Sequence, residues 1–311
     1  MIVNNFHVHC GNNYGTKKNV NESSIADYEA EKRVLKDEGV FVNKSLVFSQ
    51  PRPYPFLSKY TDACTIDFGK KNDEIGKICA NSKEYLFAVF VDARDYNAVK
   101  EIERSSIYNP RAIKVHISSH KTSPEVLADY GIIDAAIEND IPLLIHPNVD
   151  YFAELSTILL KHTKLKSIIP HFGFLNRDIL SAAAKTNNIY LDTSAVIHNA
   201  FKQTVLDGYS RLSYEFFNII QMPTTVTFLD YIKTNEFKDS QVKDNKYKDI
   251  TFDYKYMIEL AVKLVGSNKI FFGSDFNWSP LKEQINLISH SHISVKDKEN
   301  IFSNNFNKLF N

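Results

Sequence analysis

Two histidines spaced two residues apart, His7 and His9, close the first apolar run of the sequence. In an extended strand, positions i and i+2 project to the same face, so both imidazoles can address one ion. Single histidines close two later apolar runs: His146, followed by Pro147, and His171, followed by Phe172 and Gly173. Asp275 closes another, after Gly273 and Ser274. Imidazoles with a carboxylate and no thiolate form a donor set for Zn2+, Fe2+ or Mn2+. Taken one at a time, His146 and His171 read more readily as hydrogen-bonded strand-end residues than as ligands. The joint pattern decides, because four separate runs each place a donor at the same end.

The elements that must position these residues are legible as an alternation. Runs rich in β-formers at residues 2–9, 44–49, 85–92, 112–118, 142–146, 166–171, 189–193 and 269–275 are separated by helical patterns. Helices are expected at about 25–38, 73–82, 96–105, 124–139, 151–162, 177–186 and 254–265, with a last one at about 294–310. Ser123 is the expected N-cap of the helix at 124–139, with Pro124 in its first turn. Strand and helix alternating eight times is the form of an α/β protein, and a (β/α)8 TIM barrel fits the number of units and the length. A doubly wound open sheet usually carries a Gly-rich phosphate turn after its first strand, and HVHCGNN stands there instead. In a barrel all five donors reach the C-terminal rim, where barrel active sites lie. Residues 196–253 are too many for a barrel loop and are expected as an insertion after strand seven that covers the mouth. One domain over residues 1–311 is expected.

Composition narrows the partners. Lys+Arg and Asp+Glu number 37 each, so the chain lacks the positive field of a nucleic-acid or membrane-surface binder. A hydrophobic share of 43% with 24% charged residues is ordinary globular usage. Cys10, Cys64 and Cys79 contain no CxxC pair and too few thiols for a disulfide framework. Cys10 lies on the opposite strand face from His9 and reads as packing. The opening MIVNNFHVHCG lacks a basic stretch followed by an apolar one, and no run is long enough to span a bilayer. A cytoplasmic protein acting on a small molecule is expected, without nucleic acid or membrane as partner; a homodimer is left open.

With these motifs in view, the sequence resembles the amidohydrolase superfamily. The nearest branch contains aminocarboxymuconate semialdehyde decarboxylase, the resorcylate decarboxylases and the pyrone-dicarboxylate lactonases. FHVHCG, LLIHPN, IIPHFGF and FFGSDFNWSP resemble its motifs on strands one, five, six and eight, and IFSNNFNKLF, with Asn305, resembles its terminal helix. The resemblance implies one divalent metal, Zn2+ first with Mn2+ or Fe2+ as alternatives, held by His7, His9, His146 and Asp275. It implies that His171 stands beside the open coordination site as a catalytic group. Asp275 would serve both as ligand and as acceptor of the proton of a metal-activated water.

Two departures from the family pattern stand out. Asn5 replaces the acidic residue often found two positions before the first histidine. On strand four, Lys114 and His116 stand where two-metal members carry a carboxylated lysine or a glutamate. Lys114 is either the bridge of a second metal or a lysine in the mouth paired with a carboxylate or with substrate. The second reading is preferred, because the nearest branch is mainly mononuclear. His116 is read as a rim residue that contacts substrate. Arg52 and Arg177 are candidate clamps for a substrate carboxylate, and Asn277 and Trp278 are expected to shape the pocket. Asp192, which ends strand seven, is read either as facing the mouth or as a capping or hydrogen-bonding residue, and His120 as a surface or capping one. The expected function is a metal-dependent hydrolase of a small amide, lactone or ester. The alternative is a non-oxidative decarboxylase of an aromatic or unsaturated acid. A magnesium-dependent DNase shares the HxH opening but lacks support from a strand-four Glu or from basic excess, and a non-catalytic barrel would not need the donors it keeps.

Overall fold

The computed structural model describes residues 1–11, 24–50, 68–196, 254–276 and 278–310. Eight strands run in sequence order through one sheet: β1 (Ile2–His9), β2 (Phe41–Phe48), β3 (Tyr85–Phe90), β4 (Ala112–His116), β5 (Leu143–His146), β6 (Ser167–Ile169), β7 (Ile189–Asp192) and β8 (Ile270–Phe271). Every adjacent pair is parallel. The chain beyond β8 closes the ring on β1. Phe6 N–H donates to the Phe272 carbonyl at 2.7 Å, Asp275 N–H to His7 at 2.9 Å and His9 N–H to Phe276 at 2.7 Å. The result is a (β/α)8 barrel, as the alternation predicts. The insertion expected over the mouth at 196–253 lies, from residue 197 on, outside the described residues, as do Arg52, Cys64 and Asn277.

Strand periodicity divides the core into two nested shells. Ile113 and Val115 of β4 belong to the outer one, between sheet and helices. Ala112 belongs to the inner one, with Phe6, Phe48, Phe90, Leu144, Ile168 and Phe271. Alternation therefore puts Lys114 and His116 on the inner side, above Ala112. The floor of the barrel is aromatic. Phe6 stacks on Phe271 with ring centroids 4.8 Å apart, and Phe306 and Phe310 of the terminal helix Asn305–Phe310 pack under it at 6.2 and 5.9 Å. Asn305 fastens this helix, donating from Nδ2 to the carbonyls of Ser267 and Ile270, each at 2.7 Å.

Several boundaries differ from expectation for local reasons. The helix expected at 124–139 is two, Val126–Asp129 and Ile132–Glu138, because Gly131 adopts φ 72° between them and breaks the run. Glu125 precedes the first of these, so Ser123 is not its cap. β4 stops at His116, and a short helix, Ile117–His120, follows directly. That turn buries His120, whose Nδ1 accepts the Ala93 N–H at 3.1 Å; it is not a surface residue. In β1 the register against β2 shifts between Asn5 and Val8, where three steps along β1 match two along β2. Such a bulge re-aims side chains, and here Phe6 reaches the floor while His7 still faces the mouth. Among the described residues no helix is long and apolar enough to cross a membrane.

Asn5 holds the closure from within. Its Oδ1 accepts the backbone N–H of His7 at 3.2 Å and of Ser274 at 3.0 Å. Its Nδ2 donates to Tyr28 Oη at 2.9 Å and Ser274 Oγ at 2.8 Å. The amide thus accepts from both ends of the ring and at the same time donates to Ser274 and Tyr28, which a carboxylate cannot do. Replacing Asn5 with Ala leaves these buried groups unpaired and should lower the unfolding free energy by about 2–4 kcal/mol, read by denaturant titration. A loss under about 0.5 kcal/mol would mean that the closure does not depend on this side chain.

Candidate functional site

The mouth histidines are sorted by what their Nδ1 atoms touch. His9 Nδ1 lies 3.0 Å from the Ser49 carbonyl, His146 Nδ1 3.0 Å from that of Pro147, and His171 Nδ1 2.7 Å from that of Ser194. A carbonyl only accepts, so these three rings carry hydrogen on Nδ1, and in the neutral ring the lone pair is then on Nε2. His7 Nδ1 lies 2.8 Å from Asp192 Oδ2 and is set the same way by an ionised carboxylate. Burial pushes His7 down to about 4, against the pull of Asp192, so the ring is neutral near pH 7.

His7 and His9 point their bare Nε2 atoms at each other across 3.3 Å. Each also lies 3.3 Å from Asp275 Oδ1. Lone pairs and a carboxylate oxygen meeting this closely in a buried site repel unless a cation lies among them. The spacing fits one, since donors about 2.0–2.2 Å from a tetrahedral zinc stand roughly 3.3–3.6 Å apart. Among the described residues, these three alone among His, Cys, Asp and Glu form a group with ligand atoms all within 4.8 Å of one another. His146 stands outside that triangle. Its ring stacks on His116 with centroids 3.7 Å apart and meets His171 edge-on at 4.9 Å.

Asp192 is the residue that sequence reading undervalued. One oxygen takes His7 Nδ1–H; the other accepts the backbone N–H of His171 at 3.2 Å and of Ser194 at 2.9 Å, together with the Ser194 hydroxyl. Burial raises its pKa, yet the His7 ring and these hydrogen bonds hold it at about 2. Asp275 is likewise held below the usual carboxylate range, burial being outweighed by His7 and His9. Gly273 allows the assembly, because a Cβ there would come within 2.8 Å of His7 Cβ and 3.3 Å of Asp192 Cγ. The signal for Asp192 lay in its closing the seventh strand, as the other donors close theirs.

His171 sits in an unusual backbone. From His171 to Leu175 every residue has φ between 49° and 59°, a left-handed turn in which only Gly173 is a glycine. Each other residue pays roughly 1–2 kcal/mol for that conformation. Buried Phe172 and Leu175 help to hold it, with Gly173 closed against Ile179. Asp275 has φ 59° as well. Non-glycine residues held so at strand ends are typical of functional sites.

The remaining candidates divide. Lys114 is fully buried beneath the mouth, its Nζ 5.2 Å from the Phe48 ring, and that ring packs on His7 and His9 at 5.0 and 4.6 Å. Burial lowers its ammonium to about 8, with Asp192 and Asp275 pulling the other way. Trp278 is half-buried, its backbone N–H donating to the Asp275 carbonyl at 2.7 Å. Arg177 opens the helix Arg177–Lys185, and its guanidinium makes no hydrogen bond or ion pair among the described residues.

Comparison with known proteins agrees with this architecture. Residues 57–311 match the amidohydrolase family, and the chain belongs to it. The matched span includes β3 to β8 but not His7 and His9. No curated protein matches the sequence. Among solved structures, 2,6-dihydroxybenzoate decarboxylase from Rhizobium is similar at TM-score 0.60 and 12% identity, over 99% of this chain and 98% of that one. A Pseudomonas putida protein assigned as a 2-pyrone-4,6-dicarboxylic acid hydrolase reaches TM-score 0.60 at 8% identity, over 99% and 97%. A 5-carboxyvanillate decarboxylase variant from Novosphingobium aromaticivorans, solved with bound manganese, reaches 0.52 at 16%, over 89% and 80%. At these identities the likeness to solved structures establishes the fold.

Replacing Asp192 with Asn should lower affinity for a divalent ion by about 10–100-fold, read by competition with a chromogenic chelator; unchanged affinity would show that His7 is oriented without it. The buried rings also set a pH dependence. His7, His116, His146 and His171 all lie below the ordinary imidazole range because of burial. The unfolded chain then binds more protons than the folded one, so stability present near neutral pH is lost as pH falls through 6.5 toward about 4. The melting temperature of metal-free protein should fall from about pH 7 to about pH 4.5; a flat profile would contradict this.

Proposed function

We propose that this protein is a metal-dependent hydrolase of a small lactone, ester or amide, working at the C-terminal mouth of the barrel. The observation that carries the reading is the buried triangle of His7 Nε2, His9 Nε2 and Asp275 Oδ1, with sides of 3.3 Å. These residues would hold one divalent ion, with the bare Nε2 of His146 as a fourth donor. Zinc is the first choice, and manganese and iron suit the same atoms. Such an ion supplies Lewis acidity, polarising a carbonyl oxygen and making water nucleophilic near neutral pH.

The chain's own groups do the rest. Asp192 and Ser49 fix the rings that face the ion. Asp275 is a carboxylate base for the proton that water gives up. His171, anchored through Nδ1–H on Ser194, has a bare Nε2 that takes up a proton and returns it to the leaving group. The same donors support a second reading, decarboxylation of an aromatic or unsaturated acid, in which a protonated His171 delivers the hydrogen that replaces CO2. Its specific support is that two of the similar structures are decarboxylases of benzoic acids.

Replacing His171 with Asn should leave metal content nearly unchanged and cut turnover by about 10²–10⁴-fold. Replacing His7 with Asn should remove the metal as well. Equal metal loss in both variants would make His171 a ligand and defeat its role as a proton carrier. A panel of lactones, esters, amides and aromatic acids, followed for acid production and for CO2 release, separates the two reactions.

A further inference from the structure

β4 differs from the other strands that feed the mouth. His116 Nδ1 accepts the backbone N–H of Ser119 at 3.0 Å. A backbone N–H only donates, so this neutral ring must carry its hydrogen on Nε2. His7, His9, His146 and His171 carry theirs on Nδ1, as their partners require. Four mouth imidazoles are therefore set as acceptors or ligands, and His116 alone is set as a donor. To ligate an ion through Nε2 it would have to give up the bond that caps the helix Ile117–His120.

Two residues earlier on the same side of β4, Lys114 Nζ is buried and has no hydrogen-bond partner among the described residues. An ammonium in that position is costly unless something neutralises it. The carboxylates that act on it are Asp192 and Asp275. Both are engaged elsewhere, Asp192 by His7, His171 and Ser194, and Asp275 by the triangle. A divalent ion on the triangle is balanced by these two carboxylates, which leaves the Lys114 charge uncompensated.

We propose that Lys114 and His116 form an anion subsite that receives a carboxylate of the substrate, and that β4 holds no second metal. Two donors with no acceptor suit an anionic oxygen pair, and one negative charge completes the balance of the mouth. The subsite rests on the proposed metal chemistry, taking the ion on the triangle as its neighbour. It narrows the substrate to a carboxylic acid anion, whether that group stays as a handle or leaves as CO2.

The test uses metal-loaded wild type, Lys114→Met, His116→Phe and His116→Gln, the last keeping a donor near Nε2. Metal content is measured by elemental analysis and folding by thermal melting. Binding of acetate, benzoate and 2,6-dihydroxybenzoate, with benzamide as the neutral control, is measured by calorimetry. Wild type should bind at least one carboxylate in preference to benzamide. Lys114→Met and His116→Phe should weaken that binding by about 10–100-fold with metal content unchanged, and His116→Gln should lose less than His116→Phe. Carboxylate binding that ignores both substitutions overturns the proposal, as does failure of wild type to bind any of the three acids. Two metals in wild type falling to one in Lys114→Met overturns it in favour of a bridging lysine. Metal-loaded wild type that binds benzoate through Lys114 yet turns over no lactone, ester or amide would sink the hydrolase reading and leave the subsite standing.

Discussion

The mouth of this barrel is organised by one buried carboxylate. Asp192 takes the Nδ1 hydrogen of His7 on one oxygen, and on the other the backbone of His171 and both donors of Ser194. Through it the ends of β1, β6 and β7 are referred to a common point. The His7 tautomer follows from that contact, and with it the direction of the Nε2 lone pair. The position of the His171 ring follows too, because the Ser194 carbonyl that holds its Nδ1 lies two residues along from Asp192. A carboxylate on this spot must stay ionised in a dry place, and the hydrogen bonds gathered around it make that possible.

The geometry of the His7, His9 and Asp275 triangle depends on two packing conditions that are easy to overlook. Gly273 leaves room for His7 and Asp192 to meet beneath the closing segment. The bulge in β1 lets Phe6 and His7 both turn inward, one to the floor and one to the mouth. Without the bulge, strict alternation would send one of them into the helical shell. Floor and site are thus set by the same irregularity.

Much of this was readable in the sequence, for a definite reason. His7, His9 and Asp275 converge because parallel strands bring all their C-terminal ends to one rim, so strand-end donors advertise themselves. The eight β-runs were likewise visible in their apolar residues. What escaped was set by backbone partners. Ser49, Pro147 and Ser194 act through carbonyls, which carry no side-chain signature. The opposite hydrogen placement on His116 depends on β4 ending early, so that Ser119 N–H turns back on the ring. The left-handed turn after β6 could not be expected from four residues that ordinarily avoid it. His120 was misjudged by the same shortening of β4, which draws it inward.

The aromatic floor has a consequence for how the chain is made. Phe6 belongs to the first strand, yet its stacking partners are Phe271 and Phe310. The β1 edge likewise finds its hydrogen bonds at Phe272, Asp275 and Phe276. During synthesis, β1 emerges with one edge unpaired and an apolar inner face uncovered, and its edge stays so until about 265 residues have followed. A nascent barrel of this kind is an open curved sheet, the form most exposed to pairing with a neighbour. How long that edge stays open during translation is therefore set by the distance along the chain between the two sides of one ring stack.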